Sequence, residues 1–384
     1  RSVGDEHQLR LAQVPEPSSA IVSLKPQDGA VEAVVGGYSF SLSQYNRALQ
    51  AARQVGSNIK PLIYSAAFEQ GFTLATLVND APINQWNPGA GIAWRPKNSP
   101  DVYEGPIRLR KALAKSKNVV SVRLIRELGV KTAADHIAKF GIPRDTIPEN
   151  ESISLGSLSM TPMEVARAYA TFANGGFLIN PYIIERIEDG DGEVVYEAQP
   201  KQACEDCENG APRIISEQNA FLVAQAMNSA VWGGGSWAHK TGWNGTSWRI
   251  QRSKPIVNVT GRSITGKTGT TNDYRDSWFV AVDGEQVVTA WLGRDDNQPT
   301  GLTGSSGALR VVADYYERKP PLSMALEIPE PLKMQRFHER TGQRIPNDCD
   351  NGELLPAAEV RLPDNITCDG NIEEKSWWDR LFGG

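Results

Sequence analysis

The sequence predicts an α+β fold: one antiparallel sheet built from both ends of a domain, flanked by helices, with a mostly helical insertion between the two ends. Three observations predict it. β-Rich runs at 20–25 and 30–35 flank the turn signal Gln27-Asp28-Gly29. A second pair, 276–282 and 285–292, flanks Asp283-Gly284 far downstream. The long stretch separating the two hairpins reads mainly as helical.

Taken in order, residues 1–18 are polar and end in Val14-Pro15-Glu16-Pro17, a linker pattern. After the first hairpin, helical patterning covers 111–128. Another helix opens at Thr161-Pro162-Met163-Glu164 with a Thr cap, Pro in the first position and Glu in the third. It closes at Gly175-Gly176, where glycine can end a helix. A third pattern covers 219–231, and glycine-rich punctuation follows over 233–245. Beyond the second hairpin, 307–318 reads as a helix and Lys319-Pro320-Pro321 as a boundary. The expected division is therefore a linker (1–18), a body (19–321) and a Pro-rich C-terminal tail (322–384).

Hydrophobic residues at 40% and charged residues at 22% of 384 describe an ordinary globular chain. A net charge of −5 with no long Lys/Arg cluster argues against nucleic acid as a partner. No run of about 18 apolar residues occurs. The chain opens on Arg1-Ser2-Val3 in mid-stretch, as a cut end would. Cys349 and Cys368 lie in a tail with little material for a core of its own, where a disulfide would imply an oxidising compartment. Cys204 and Cys207 form a Cys-x-x-Cys that reads as a loop clip or two free thiols. No second such pair follows, and His7, His136, His239 and His338 are scattered, so neither a metal site nor a cofactor is expected.

Three motifs carry chemistry. In Gly56-Ser57-Asn58-Ile59-Lys60, a Ser at a helix start is followed three residues on by a Lys on the same face. A serine hydroxyl needs a base to become a nucleophile, and a Lys serves only if burial or a second cation lowers its pKa. Alone the pattern is near chance level in a chain this long. Ser116-Lys117-Asn118 alone reads as a helix kink or cap with polar residues facing water; as chemistry, it places a hydroxyl that can relay a proton beside an amide that can fix a Lys or a substrate amide. Lys267-Thr268-Gly269-Thr270 reads as an edge strand. There Gly269 admits a ligand backbone, Lys267 offers charge to a carboxylate, and Thr270 offers a hydroxyl. A second Lys240-Thr241-Gly242 lacks a strand and a following hairpin, so the downstream copy is preferred.

The three motifs appear in the order used by serine penicilloyl enzymes. The segments Arg53-Gln54-Val55-Gly56-Ser57-Asn58-Ile59-Lys60-Pro61, Pro96-Lys97-Asn98-Ser99-Pro100, Ser116-Lys117-Asn118-Val119-Val120 and Gly242-Trp243-Asn244-Gly245-Thr246 resemble class A penicillin-binding proteins of the 1a type. From Gly266 onward, through Trp291-Leu292-Gly293-Arg294-Asp295-Asp296-Asn297 and the Trp-containing tail, the flavour is closer to the 1b type. The resemblance covers about residues 19–318.

It implies the fold shared by penicillin-binding proteins and serine β-lactamases, and acyl transfer from D-Ala-D-Ala stem peptides. Ser57 would be the nucleophile, Lys60 its base and Ser116 the proton carrier. Asn118, Lys267, Thr268, Gly269 and Thr270 would hold substrate, and the backbone N–H groups of Ser57 and Thr270 would form the oxyanion hole. Implied partners are donor and acceptor peptidoglycan stems, β-lactams, the inner membrane through a preceding anchor, and regulators of wall synthesis; the implied location is the periplasmic face. A DD-carboxypeptidase differs only in its acceptor, and the motifs do not choose. A class A β-lactamase would carry a Glu-x-x-Leu-Asn loop, which this chain lacks. A non-catalytic scaffold would have no need of complete motifs. Trp86, Trp94 and Tyr103 could line a groove or pack; Tyr274 and Trp278 could face the cleft. Trp377-Trp378 with Leu381-Phe382 form a small apolar end.

Overall fold

The computed structural model describes residues 13–83, 94–235, 242–257, 264–324, 327–359 and 366–370. The Lys240-Thr241 copy, Trp86, His7, His239, the apolar end at 377–382 and the first twelve residues of the linker lie outside the described residues.

Both hairpins form and share one sheet. Strands β1 (Ser18–Leu24) and β2 (Val31–Val35) come from the N-terminal end. Strands β3 (Thr265–Thr270), β4 (Ser277–Val282) and β5 (Val287–Gly293) come from downstream. Their order is β2-β1-β5-β4-β3, antiparallel throughout, with β1 joined to β5 from Ser18↔Gly293 to Leu24↔Val287. The edge strand β3 thus carries Lys267-Thr268-Gly269-Thr270.

Between the hairpins lie α1 (Lys60–Glu69), α2 (Leu109–Ala114), α3 (Asn118–Leu128), α4 (Val130–Ala138), α5 (Pro162–Ala173) and α6 (Glu217–Trp232). Helix α7 (Ala308–Tyr316) follows the sheet. Alternation along β4 sorts the core into two layers. Trp278, Val280 and Val282 pack with α1, α5 and α6, whereas Phe279 and Ala281 pack with Ile250, Ile264 and α7. Because both faces are covered, β4 is buried along its whole length. The capping box at Thr161 forms: Thr161 Oγ1 accepts from Glu164 N, and the Glu164 side chain accepts from Thr161 N.

Two expectations change. The helix anticipated over 111–128 is two helices, broken at Lys115-Ser116-Lys117, and Ser116 takes a left-handed φ of 55°. Good local helix formers are overridden here by tertiary hydrogen bonds. The tail also has more structure than its composition suggested. Strands β6 (Leu332–Phe337), β7 (Arg344–Ile345) and β8 (Glu353–Ala358) form a sheet of order β7-β6-β8. It borrows a core: Leu332, Phe337, Leu355 and Ala357 join the main cluster, and Arg108 donates to the carbonyls of Phe337 and His338. Disulfides close Cys349–Cys368 and, as the loop clip, Cys204–Cys207. No described helix is long and apolar enough to cross a membrane.

Candidate active site

Ser57 sits not in a helix proper but in a 3-10 turn, Gly56–Ile59, that runs directly into α1 at Lys60. Several unrelated elements hold the turn. Gly56 N donates to Gly156 O (3.3 Å), Tyr169 Oη to Asn58 O (2.8 Å) and Trp278 Nε1 to Gln54 O (2.8 Å). Trp278 is fully buried, so it braces the Ser57 turn from beneath and does not face the cleft. Trp94 and Tyr103 pack on Val119 and Val122, and Tyr274 is half-exposed. Arg53, just upstream, pairs with Asp276 (2.8 Å), which also accepts from Thr271 Oγ1 and Trp291 Nε1. This cluster ties the approach to Ser57 to the segment leaving β3.

Strand β3 passes hard against the turn. Gly56 has φ +53°, and a Cβ on it would lie 2.6 Å from Thr270 O and 3.3 Å from Thr270 N. A Cβ on Gly269 would lie 2.8 Å from Val55 O. Glycine at both places is therefore a requirement of approach. Thr271 N donates to Asp276 O and Thr270 stands opposite Ser277. In an antiparallel ladder the backbone groups of Thr268 and Thr270 then point away from β4, to the open edge beside Ser57.

Lys60 and Lys267 are both fully buried. Lys60 Nζ donates to Ser116 O (2.7 Å) and Asn118 Oδ1 (2.7 Å) and lies 3.3 Å from Ser116 Oγ. Lys267 Nζ lies 3.0 Å from the same Oγ and donates to Thr268 O (2.7 Å). Burial, and then the neighbouring Lys267 charge, hold the Lys60 ammonium well below the usual lysine range. Burial alone brings Lys267 down to about 7. Ser116 Oγ thus bridges two amines that cannot both stay charged at low cost. Asn118 Nδ2 donates to Lys97 O, so its amide ties Lys60 to the 96–100 loop. Among the described residues the Ser57 hydroxyl has no hydrogen-bond partner, and no cluster of metal-ligating side chains occurs.

The eight residues singled out in the sequence therefore meet, with Ser57 adjoining by chain, next to Gly56, which lies against Thr270. Thr268 Oγ1 donates to Thr246 Oγ1 (2.8 Å), and Thr270 Oγ1 accepts from Gly304 N (3.0 Å). Thr246 and Gly304 were not picked out as site residues, since nothing local marks a Thr in a Gly-rich stretch or a Gly in the loop before α7.

A family model described as the penicillin-binding protein transpeptidase domain matches residues 19–308. The chain belongs to that family. Penicillin-binding protein 1A of Vibrio cholerae is 47% identical over 302 residues, covering 75% of this chain and 36% of that protein. That of Escherichia coli is 43% identical over 370 residues, covering 83% and 42%. The crystal structure of Haemophilus influenzae penicillin-binding protein 1A, 39% identical, superposes with a TM-score of 0.81 over 90% of this chain and 54% of that one. PonA1 of Mycobacterium tuberculosis, 24% identical with a TM-score of 0.61, shares the fold. These findings place the chain with the transpeptidase portion of class A penicillin-binding proteins. It spans less than half the length of these two curated relatives. Both bear the 1A name, including the one whose match extends over 370 residues, beyond the transpeptidase model.

Proposed function

We propose that this transpeptidase domain is a serine-type acyltransferase in which Ser57 attacks the carbonyl between the terminal D-Ala residues of a donor stem. The reading rests on one observation above all: a fully buried Lys60, depressed in pKa, one helical turn from Ser57 and bonded to Ser116 and Asn118. A neutral amine has two N–H donors. The two acceptors at 2.7 Å match them, and with Ser116 Oγ farther off at 3.3 Å the lone pair would be free to take the Ser57 proton. The N–H groups of Ser57 and of Thr270, the latter on the open side of β3, would stabilise the oxyanion. Ser116 would pass the proton to the leaving D-Ala, its Oγ lying between both lysines. Lys267, Thr268 and Thr270 would hold the terminal carboxylate, Gly269 would admit the donor backbone, and Asn118 would orient the stem amide.

An amine from a second stem would then take the acyl group, forming a cross-link; water in its place would make the domain a carboxypeptidase. The same attack on a β-lactam ring would leave a persistent acyl-enzyme. By the same reading the domain works at the periplasmic face of the inner membrane, held by an anchor in the remainder of a longer protein and met there by regulators of wall synthesis. Incubation with a labelled penicillin followed by intact-mass measurement tests the core of this reading. One stable adduct is expected on the wild-type chain and none on Ser57→Ala. An undiminished adduct on that variant would sink it.

A further inference from the structure

We propose that Asp80, Asn98 and Lys117 form a positioning clamp that holds Ser116 and Asn118 in register with the two buried lysines. The proposal rests on the Ser57 acylation reading and adds to it three side chains that touch none of Ser57, Lys60 or Lys267.

The centre is Asp80, fully buried at the end of the strand Leu77–Asp80. Its carboxylate accepts from Lys117 Nζ (2.7 Å), Asn98 Nδ2 (2.6 Å) and Glu104 N (3.0 Å). Such a carboxylate is stable only because every partner is in place. Asn98 faces the other way with its oxygen. Helix α3 has no cap of its own, since Lys117 at its N-cap makes no capping bond. Asn98 Oδ1 takes that part from 20 residues upstream, accepting from Asn118 N (2.9 Å) and Val119 N (3.2 Å). Its amide also donates to Val102 O, as does Lys117 Nζ.

Ser116 is therefore fixed from both sides. Ahead of it, Lys115 pairs with Glu104 (3.0 Å); behind it, Lys117 is locked to Asp80 and Asn118 to Asn98. With its neighbours anchored, Ser116 is held at φ 55°, a conformation a serine adopts only when its surroundings impose it. There its carbonyl faces Lys60 and its hydroxyl lies between both lysines. Loosening the clamp would let Ser116 relax and carry its hydroxyl away from the amines.

The test is a pair swap in the full chain: Asn98→Asp, Asp80→Asn and both together. Acylation by a chromogenic cephalosporin is resolved into a plateau rate and a half-saturating concentration. Asn98→Asp sets two carboxylates face to face, and Asp80→Asn sets an amide donor against Lys117 Nζ and Glu104 N; for each, a plateau rate about 10–100-fold lower is expected with half-saturation within about threefold. The swapped pair restores one donor facing one carboxylate and should recover most of the rate. Lys117→Met, which removes one arm and leaves Asn98 in place, should lower the plateau rate of the folded enzyme about tenfold and lower Tm as well, because the buried Asp80 loses its cation. The clamp is overturned if the variants acylate at the wild-type rate, if the swap does no better than the product of the singles, or if only the titratable fraction of enzyme falls. Ser57→Ala, run alongside, separates the two ideas. A silent Ser57→Ala with unimpaired clamp variants sinks the clamp alone, whereas an active one sinks the nucleophile assignment.

Discussion

The sheet that carries the motifs and the small C-terminal sheet are built on opposite terms. Around β3 the protein accumulates costs: two lysines out of water, a left-handed serine, and glycines pressed to 2.6–2.8 Å from neighbouring backbone had they a Cβ. The β7-β6-β8 sheet has an apolar lining, a disulfide beside it, and a Glu353 that receives both Arg108 and Arg110. Cost collects where chemistry needs preorganised groups in a dry setting, and the rest of the fold offsets it.

Replacing the costly group should break the contrast most sharply. Lys60→Met is expected to lower penicillin acylation by about 10²–10⁴-fold, the range for loss of a general base. It should also raise Tm by a few degrees, because the buried amine is gone. The sign follows from the pKa. Lys60 binds its proton less readily folded than unfolded, so its burial cost is greatest below the folded pKa and fades as pH rises toward the unfolded value near 10.5. Thermal scans at pH 6 and pH 9 should show the larger gain at pH 6; a lower Tm for the variant at both would refute the account.

Next in size is the pH profile of acylation. The proposed step needs Lys60 neutral and Lys267 charged, and Lys267 titrates at about 7. Acylation measured under second-order conditions should therefore rise from acid pH and fall on an alkaline limb near 7. A rate flat from pH 6 to 9 would detach Lys267 from carboxylate binding.

A smaller effect belongs to the other region. Cys349→Ser with Cys368→Ser opens a link between residues 19 apart and should cost about 2–4 kcal/mol of local stability. It should leave acylation within about twofold. Hydrogen exchange should report the loosening in β6 to β8 alone; a large loss of acylation would mean the two regions are coupled.

A fourth, milder expectation concerns His136. It is buried against Ser65 Oγ (2.9 Å) behind α1, and burial, then Lys139, depress its pKa to about 4. The stability it contributes is complete above the unfolded value near 6.5 and is lost as pH falls toward 4. His136→Gln should flatten the pH dependence of Tm over that window.

How much was legible in the sequence follows the range of the forces. Both hairpins, the Thr161 capping box and the catalytic-motif order were legible because turn chemistry, caps and motifs are local. The break at Ser116 was legible only as a kink or cap at Ser116-Lys117-Asn118, since nothing in Lys111-Ala112-Leu113-Ala114-Lys115 disfavours a helix; what enforces it, Asp80 and Asn98, lies elsewhere in the chain. Trp278 was misplaced for a related reason: it stands opposite Gly269 on the face that Lys267 uses, but the segment leading to Ser57 covers it, with its Nε1 on Gln54 O. The tail sheet was missed because its core is shared, so its own composition under-reports it.

Joining β1 to β5 has a temporal consequence. The N-terminal hairpin, complete at Val35, must wait for about 250 further residues before its partner at Val287–Gly293 exists, which at synthesis rates of about 5–20 residues per second is roughly 13–50 s. Ser57 emerges early and Lys267 late, so the centre cannot assemble piecemeal. A truncated or stalled chain would hold its nucleophile turn with no edge strand beside it. Competence for acylation should then appear in a single late step, when β3 to β5 close the sheet.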